Sequence, residues 1–244
     1  VGLGMHNYIK TCMKKMQPVS LSGFPTRKPI QAALSLKYDG VRSVLVFKTV
    51  QGIPVCWMFD RKGMAWSVPC TQIASGCMVL DGELMDNGTF IVFDILDRPG
   101  CNLRDMPLAN RIKLLDSICM PKCLPFTIKV KKFYTGPRTK DVLKLAGSPD
   151  VDGVIVHDLA QGVLPRGPCM WKWKAEHTID LRVESDGRLM ARDCAFKASV
   201  TGDAPPAGEL WEFKFVGAGK VAPTRRRTDK HHPNAHRVCR EVQR

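Results

Sequence analysis

Short apolar runs, each closed within a few residues by Gly, Asp or Pro, recur along much of this chain and restrict it to a sheet-rich fold. Leu34–Lys37 and Arg42–Val50 alternate or run apolar, and Val55–Phe59, Cys77–Leu80, Phe90–Ile95 and Val151–His157 repeat the theme. Pro25 and Pro29 mark residues 20–35 as a loop. One stretch carries a clear helical period: Leu108, Ile112, Leu115 and Ile118 within Pro107–Cys119, closed by Pro121. Thr139–Ala146 is a second, shorter helix. Strands and helices mixed in this order predict an α+β architecture with a largely antiparallel sheet.

Near Ala175 the pattern changes. Thr178–Val183, Arg188–Arg192 and Leu210–Phe215 read as short strands separated by Asp186-Gly187 and by the Gly/Pro-rich segment Gly202–Gly208. The sequence therefore predicts two domains, 1–176 and 177–244, the second small and all-β. About 70 residues suffice for a five-stranded barrel of the OB type, although other small β domains fit the same strand count.

Hydrophobic residues make up 44% and charged residues 25% of 244 residues, an ordinary balance for folded cores rather than a disordered chain. No apolar run approaches the roughly 18 residues that a membrane span requires, and no basic-then-apolar leader opens the chain. A soluble intracellular protein with no membrane role is expected. Net charge is +14, with a local cluster at Arg225, Arg226, Arg227 and Lys230, which favours nucleic acid or nucleotide phosphate as partner, unless the charge serves solubility alone. The 10 cysteines are scattered and read as free thiols. Cys119 and Cys123, with His231, His232 and His236, lack the paired spacing of a structural zinc site.

Five segments carry chemistry. In Leu36-Lys37-Tyr38-Asp39-Gly40-Val41-Arg42, a lysine follows an apolar strand with a flexible glycine and a cation close behind; a lysine becomes a nucleophile once cations, metal or burial favour its neutral form. Alone, the segment also reads as an exposed lysine in a turn. Leu80-Asp81-Gly82-Glu83 is an acidic turn before Phe90–Leu96, where carboxylates can hold a divalent cation or ribose hydroxyls and Phe93 can stack on a base. Val151-Asp152-Gly153 is another acid-glycine turn entering a strand. In Trp171-Lys172-Trp173-Lys174, period-two alternation aims both lysines one way, which suits a phosphate chain or a solvated edge. Arg225–Asn234 is too polar for a core.

Taken in order, these segments resemble the covalent nucleotidyltransferase superfamily of polynucleotide ligases and mRNA-capping enzymes. The K-x-D-G-x-R pattern is Lys37, Asp39, Gly40 and Arg42; D-G-E ends in Glu83; F-D is Phe93-Asp94; the acid-glycine pair is Asp152-Gly153; the lysine pair is Lys172 and Lys174. Thr178-Ile179-Asp180-Leu181 and Arg227-Thr228-Asp229-Lys230-x-x-Pro233-Asn234 are similar to patterns that separate capping enzymes from ligases. Asp152 before Gly153 points the same way, as do Gly208–Phe213 and Phe24-Pro25. The second domain is short for the family, and Gly217–Pro223 replaces an aromatic-containing approach to the final motif.

The resemblance implies a nucleotidyltransferase domain followed by a reduced OB-type domain. It further implies an mRNA guanylyltransferase: Lys37 attacks the α-phosphate of GTP, pyrophosphate leaves, and the 5′-diphosphate end of an RNA then takes GMP from lysine. Lys172 and Lys174 would neutralise phosphate. Mg²⁺ or Mn²⁺ would complete charge stabilisation, with Asp152 and Glu83 as metal ligands. Arg42 and Glu83 would contact ribose, Asp39 belongs to the same nucleotide-binding set, Phe93 would stack on guanine, and Arg61 would sit near sugar or phosphate. Arg227, Asp229 and Lys230 would orient the leaving group through domain closure. An ATP-dependent ligase and an inactive RNA-binding relative are the alternatives. No triphosphatase or methyltransferase region fits within 244 residues. Those activities are therefore expected on other domains or chains, and the protein is expected to be a monomer. A domain excised from a larger, viral protein acting in the host cytoplasm is expected, or a nuclear location if the protein is cellular.

Overall fold

The computed structural model describes residues 3–20, 31–70, 77–98, 100–101, 103, 105–118, 124–136, 139–146, 148, 150–162, 169–174 and 178–243. Phe24-Pro25, Cys119, Pro121 and Cys123 lie outside them. The chain divides into two compact units, Val1–Trp173 and Lys174–Arg244. No helix among the described residues is long and apolar enough to cross a membrane.

The first unit opens with helix α1 (Leu3–Lys15) and strand β1 (Val19–Ser20), then runs through β2 (Ala32–Tyr38), β3 (Val41–Val50), β4 (Ile53–Asp60), β5 (Ala65–Val68), β6 (Met78–Leu84) and β7 (Thr89–Asp97). Helix α2 (Leu108–Ser117), β8 (Thr127–Val130), helix α3 (Thr139–Leu145), β9 (Val151–Asp158) and β10 (Met170–Trp173) complete it. Its strands form two sheets, ordered β5-β4-β3-β6-β7-β8 and β1-β10-β9-β2. Most neighbours are antiparallel, as expected, but β7–β8 and β1–β10 are parallel, so the sheets are mixed. The β7–β8 pair is parallel because α2 carries the chain back between them, the crossover that a hairpin cannot supply.

Helix α1 has no counterpart in the sequence reading. Ile9, Cys12, Met13 and Met16 recur at helical spacing and are buried in the main core. Because β3 is covered on both sides, Arg42–Phe47 are buried without alternation. Helix α2 forms where its period predicts, yet its inward face includes Arg111, which is 1% exposed. Arg111 gives Asp94 two bonds, at 2.7 and 2.9 Å, and donates to the carbonyls of Met106 and Gln161. Val142 of helix α3 and Ala146 just beyond its end pack on Leu34, Val154 and Val156, the outward faces of β2 and β9.

The second unit contains β11 (Thr178–Val183), β12 (Leu189–Met190), β13 (Ala195–Phe196), β14 (Ser199–Val200), β15 (Leu210–Gly217), β16 (Lys220–Arg226) and helix α4 (His236–Gln243). Its sheet is ordered β13-β12-β11-β15-β16-β14, with β14–β16 parallel. Ile179, Leu181, Val183, Phe213 and Val221 fill its core, and Cys239 of α4 joins them, so the unit is β apart from this helix. Gly217–Pro223, which sequence reading treated as an approach to the last motif, is the end of β15, a turn and the first half of β16, which pairs along β15 with register shifts at Glu212–Phe213 and Phe215–Gly217.

Candidate active site

Alternation along β2 and β9 sends Leu34, Leu36, Val154 and Val156 toward α3 and leaves Ser35, Lys37, Ile155 and His157 for the opposite face. That face borders a cleft of about 560 Å³, counted with its open mouth, whose other wall comes from the larger sheet: Arg42 on β3, Glu83 on β6, and Ile91 and Phe93 on β7. Met16 and Pro18 enter from the end of α1, with Arg61 from the β4–β5 turn and Lys131 from just beyond β8.

Two breaks in strand register aim the central side chains. Leu36 pairs with Val154 and Tyr38 with Val151, so Asp152 and Gly153 together oppose Lys37. This two-against-one bulge turns the strand, and Gly153 occupies φ 131°, a conformation that favours glycine. Lys37 Nζ consequently donates to Asp152 Oδ2, both side chains being partly exposed. On the other wall Asp81 pairs with Asp94 and Gly82 with Val92, which leaves Phe93 as the extra residue. Gly82 is required there because a Cβ would lie 2.5 Å from the Phe90 ring. Gly40 is required for the same reason in the β2–β3 turn, where a Cβ would lie 2.6 Å from the Leu84 carbonyl oxygen.

Arg42 is built into the wall. Its Nε and Nη2 donate to Asp81 at 3.0 and 2.5 Å, and Nη1 donates to the carbonyls of Met13 and Met16 at 3.3 and 3.1 Å. Four of the five guanidinium protons are thus engaged within the protein, and the charge lies 5.6 Å from the centre of the Phe93 ring. Sequence reading assigned Arg42 to ribose; the structure gives it the last turn of α1 and a fully buried aspartate. Asp39 does not line the cleft: its backbone N–H donates to Asp150 at 3.0 Å and it forms the turn.

Lys131 escaped sequence reading, since an isolated lysine after a short strand carries no signal. It is 6% exposed, with Nζ 5.3 Å from the Phe93 ring centre and 5.8 Å from that of Tyr38. Burial pushes its pKa down to about 7, against the pull of Glu83 and with the help of Lys37 and Arg42. Burial also raises Glu83 above the usual carboxylate range, opposed by Lys131, Lys37, Arg61 and Arg42. Lys37, Arg42, Arg61 and Lys131 against Glu83 make the lining predominantly cationic, which suits an anionic ligand.

Of the lysine pair, Lys172 lies on β10 opposite Ile155 and is not among the residues lining the cleft; Lys174 follows the end of that strand and belongs to the second unit. In the second unit, Arg227 donates to Asp180 at 2.6 Å and grips Asp229 with two bonds of 2.8 Å, while Lys230 donates to Asp180. Asn234 closes the motif: its side chain accepts from the Asp180 N–H at 2.7 Å, and its own N–H donates to the Asp180 carbonyl at 2.9 Å. Bonding to Asp229 raises Arg227, and bonding to Arg227 depresses Asp229. Asp180, 3% exposed, is the organising residue of this cluster and carried no site assignment in the sequence.

No three metal-ligating side chains cluster among the described residues. Asp152 and Glu83 fit a hard divalent cation only if ligand oxygens complete the set, as they do when magnesium accompanies a nucleotide triphosphate.

A family model described as "mRNA capping enzyme, catalytic domain" matches residues 5–175. Among solved structures, mycobacterial DNA ligase D complexed with ATP and MES is similar at a TM-score of 0.53 and 16% identity, over 87% of this chain and 95% of that one. The ligase domain from M. tuberculosis LigD matches at a TM-score of 0.46 and 14% identity, over 88% and 94% of the two chains. The first likeness shows the fold, a ligase-type nucleotidyltransferase domain with an OB-type domain.

Proposed function

The chain belongs to the mRNA capping enzyme catalytic-domain family of nucleotidyltransferases, and we propose that it is an mRNA guanylyltransferase that carries GMP on Lys37 and delivers it to a 5′-diphosphate RNA end. The observation that carries this reading is the pairing of Lys37, which lines a cationic cleft with Phe93 on its far wall, with Asp152 across the bulge.

The amine of Lys37 must be neutral to attack the α-phosphate, and Asp152, hydrogen-bonded to it, is placed to accept the departing proton. The N–P bond forms as the bond to pyrophosphate breaks. In the second step the RNA diphosphate oxygen attacks the same phosphorus and the lysine nitrogen leaves as the amine, taking back a proton from Asp152, which divides the transfer into two in-line displacements. Mg²⁺ or Mn²⁺, held by Asp152 and Glu83 with the triphosphate, would neutralise charge on the leaving group. Arg61 is exposed at the mouth, where phosphates or ribose would pass. Lys172 and Lys174 are proposed to neutralise the phosphates, and Arg227 and Lys230 to orient pyrophosphate.

Guanine over adenine is supported by Lys131. Beside Phe93 it offers N–H donors, and in its charged form donors only; guanine presents O6 and N7 as adjacent acceptors, whereas adenine presents an amino donor beside N7. The net charge of +14 suits an RNA acceptor.

The test is incubation with α-labelled GTP or ATP and Mg²⁺ or Mn²⁺, followed by denaturation. Label from GTP is expected to survive denaturation and to be absent from Lys37→Ala. Labelling by ATP alone would identify an ATP-dependent ligase activity instead, and labelling by neither would leave an RNA-binding protein.

A further inference from the structure

His157 holds a buried polar atom that nothing in the protein satisfies. Among the described residues its Nδ1 is the only buried side-chain nitrogen or oxygen without a hydrogen-bond partner. The side chain is 3% exposed and its Nε2 lies 2.8 Å from Ser35 Oγ. The ring also meets Phe133 edge-on, with centroids 5.1 Å apart. Pinned on two sides, the imidazole lines the same cleft as Lys37, Phe93 and Lys131.

The proton positions follow from the network. Ser35 is fully buried, and among the described residues its hydroxyl has one partner, His157. If Nε2 carried the ring proton, the hydroxyl proton would have no acceptor. With the hydroxyl donating to Nε2, the ring proton sits on Nδ1, and every hydrogen is used except that one. Burial, reinforced by the charge of Lys131, holds the imidazole neutral, so a single N–H is left to be satisfied. Unpaired buried donors are rare in native proteins and call for a partner from outside the protein when they border a binding cleft.

We propose that His157, set in its Nδ1–H tautomer by Ser35, is a specificity-determining residue that donates to the O6/N7 edge of a guanine base. The inference rests on the reading of the cleft as a GTP site and extends it. With Lys131, the cleft presents two donors. Guanine answers both with O6 and N7, whereas adenine answers one and turns an amino group on the other. Rejection arises because the wrong base leaves a buried donor unpaired.

Covalent labelling rates with α-labelled GTP and ATP are measured on the unsubstituted protein, on His157→Leu and on His157→Asn, each checked for folding by its thermal melt. The GTP-to-ATP ratio is expected to fall by about tenfold or more in His157→Leu, the scale of one lost base-reading bond. It is expected to return to within roughly threefold in His157→Asn, whose amide nitrogen can occupy the Nδ1 position. Ser35→Ala, which frees the tautomer, is expected to fall between them. An unmoved ratio in His157→Leu overturns the proposal, and so does an equal loss with both nucleotides, the mark of a ring that only fills space. If His157→Leu does not fold, the unsubstituted protein decides with 7-deaza-GTP, which lacks N7, and 2-aminopurine riboside triphosphate, which lacks O6. Labelling at least about tenfold slower than with GTP for both analogues, as two separate donors require, supports the proposal, and a GTP-like rate with either overturns it. Labelling of the unsubstituted protein by ATP alone removes premise and proposal together; labelling by GTP with an unmoved ratio removes the proposal alone.

Discussion

Arg42→Met takes the cation from a pair whose aspartate, Asp81, is fully buried. Asp81 loses bonds of 3.0 and 2.5 Å, and the end of α1 loses the donor that meets Met13 and Met16 at 3.3 and 3.1 Å. Stranding one member of a buried pair costs about 3–5 kcal/mol. Unpaired helix-end carbonyls cost about 1 kcal/mol more. A domain of ordinary stability holds roughly 5–15 kcal/mol in total, so the substitution brings the first unit close to unfolding. Removing both charges is different: Arg42→Met with Asp81→Leu leaves no buried ion, and such replacements are neutral or stabilising in other proteins. The double variant is therefore expected within about 2 kcal/mol of the starting protein; with single losses of at least about 4 kcal/mol for Arg42→Met and about 3 kcal/mol for Asp81→Leu, the coupling is about 5 kcal/mol or more. Urea unfolding followed by tryptophan fluorescence and circular dichroism measures all four members of the cycle, with unchanged slopes as the control. A loss below about 1 kcal/mol in Arg42→Met, or a double variant no better than the worse single, refutes the claim that an uncompensated buried carboxylate dominates the cost.

Lys131→Met should be more favourable to stability at pH 6 than at pH 9. The pKa of Lys131 is lowered to about 7 in the folded chain, so between that pH and the unfolded value near 10.4 the unfolded state binds more protons and wild-type stability rises with pH, by at most about 1.4 kcal/mol per unit. Equal effects of the substitution at both pH values in urea titrations would contradict this. Gly40→Ala should destabilise the first unit by about 1–3 kcal/mol and slow GMP labelling, because the new Cβ meets backbone 2.6 Å away rather than a side chain that can move; an unchanged melting temperature would count against it. Asp180→Asn should cost the second unit about 2–4 kcal/mol by leaving Arg227 and Lys230 without their shared carboxylate, read by chemical unfolding and refuted by a change under about 0.5 kcal/mol.

What could be read without coordinates was local. The period of Leu108, Ile112 and Leu115 placed α2, turn residues bounded the strands, and the acid-glycine pairs marked Asp81-Gly82 and Asp152-Gly153. Helix α1 escaped because its apolar residues are interleaved with lysines and its first turn carries no acidic residue to mark a start. Arg111 escaped because a buried arginine interrupts the very pattern that identifies a helix, and only Asp94, on a different element, makes its burial tolerable.

By itself, the sequence determined the strand-rich composition, the break near residue 175 and the ordered motifs from Lys37 to Asn234. Tertiary structure decided what those residues do to one another. Lys37 and Asp152 are 115 positions apart and Ser35 and His157 are 122 apart, so neither pair exists until β2 and β9 align. The bulges opposite Lys37 and at Phe93 depend on register between strands, which no local propensity encodes. Arg42 and Lys131 illustrate the division: charge is a property of the residue, but whether it is committed to a buried aspartate or held beside an aromatic ring is set by what surrounds it after folding, because desolvation acts only once water is excluded.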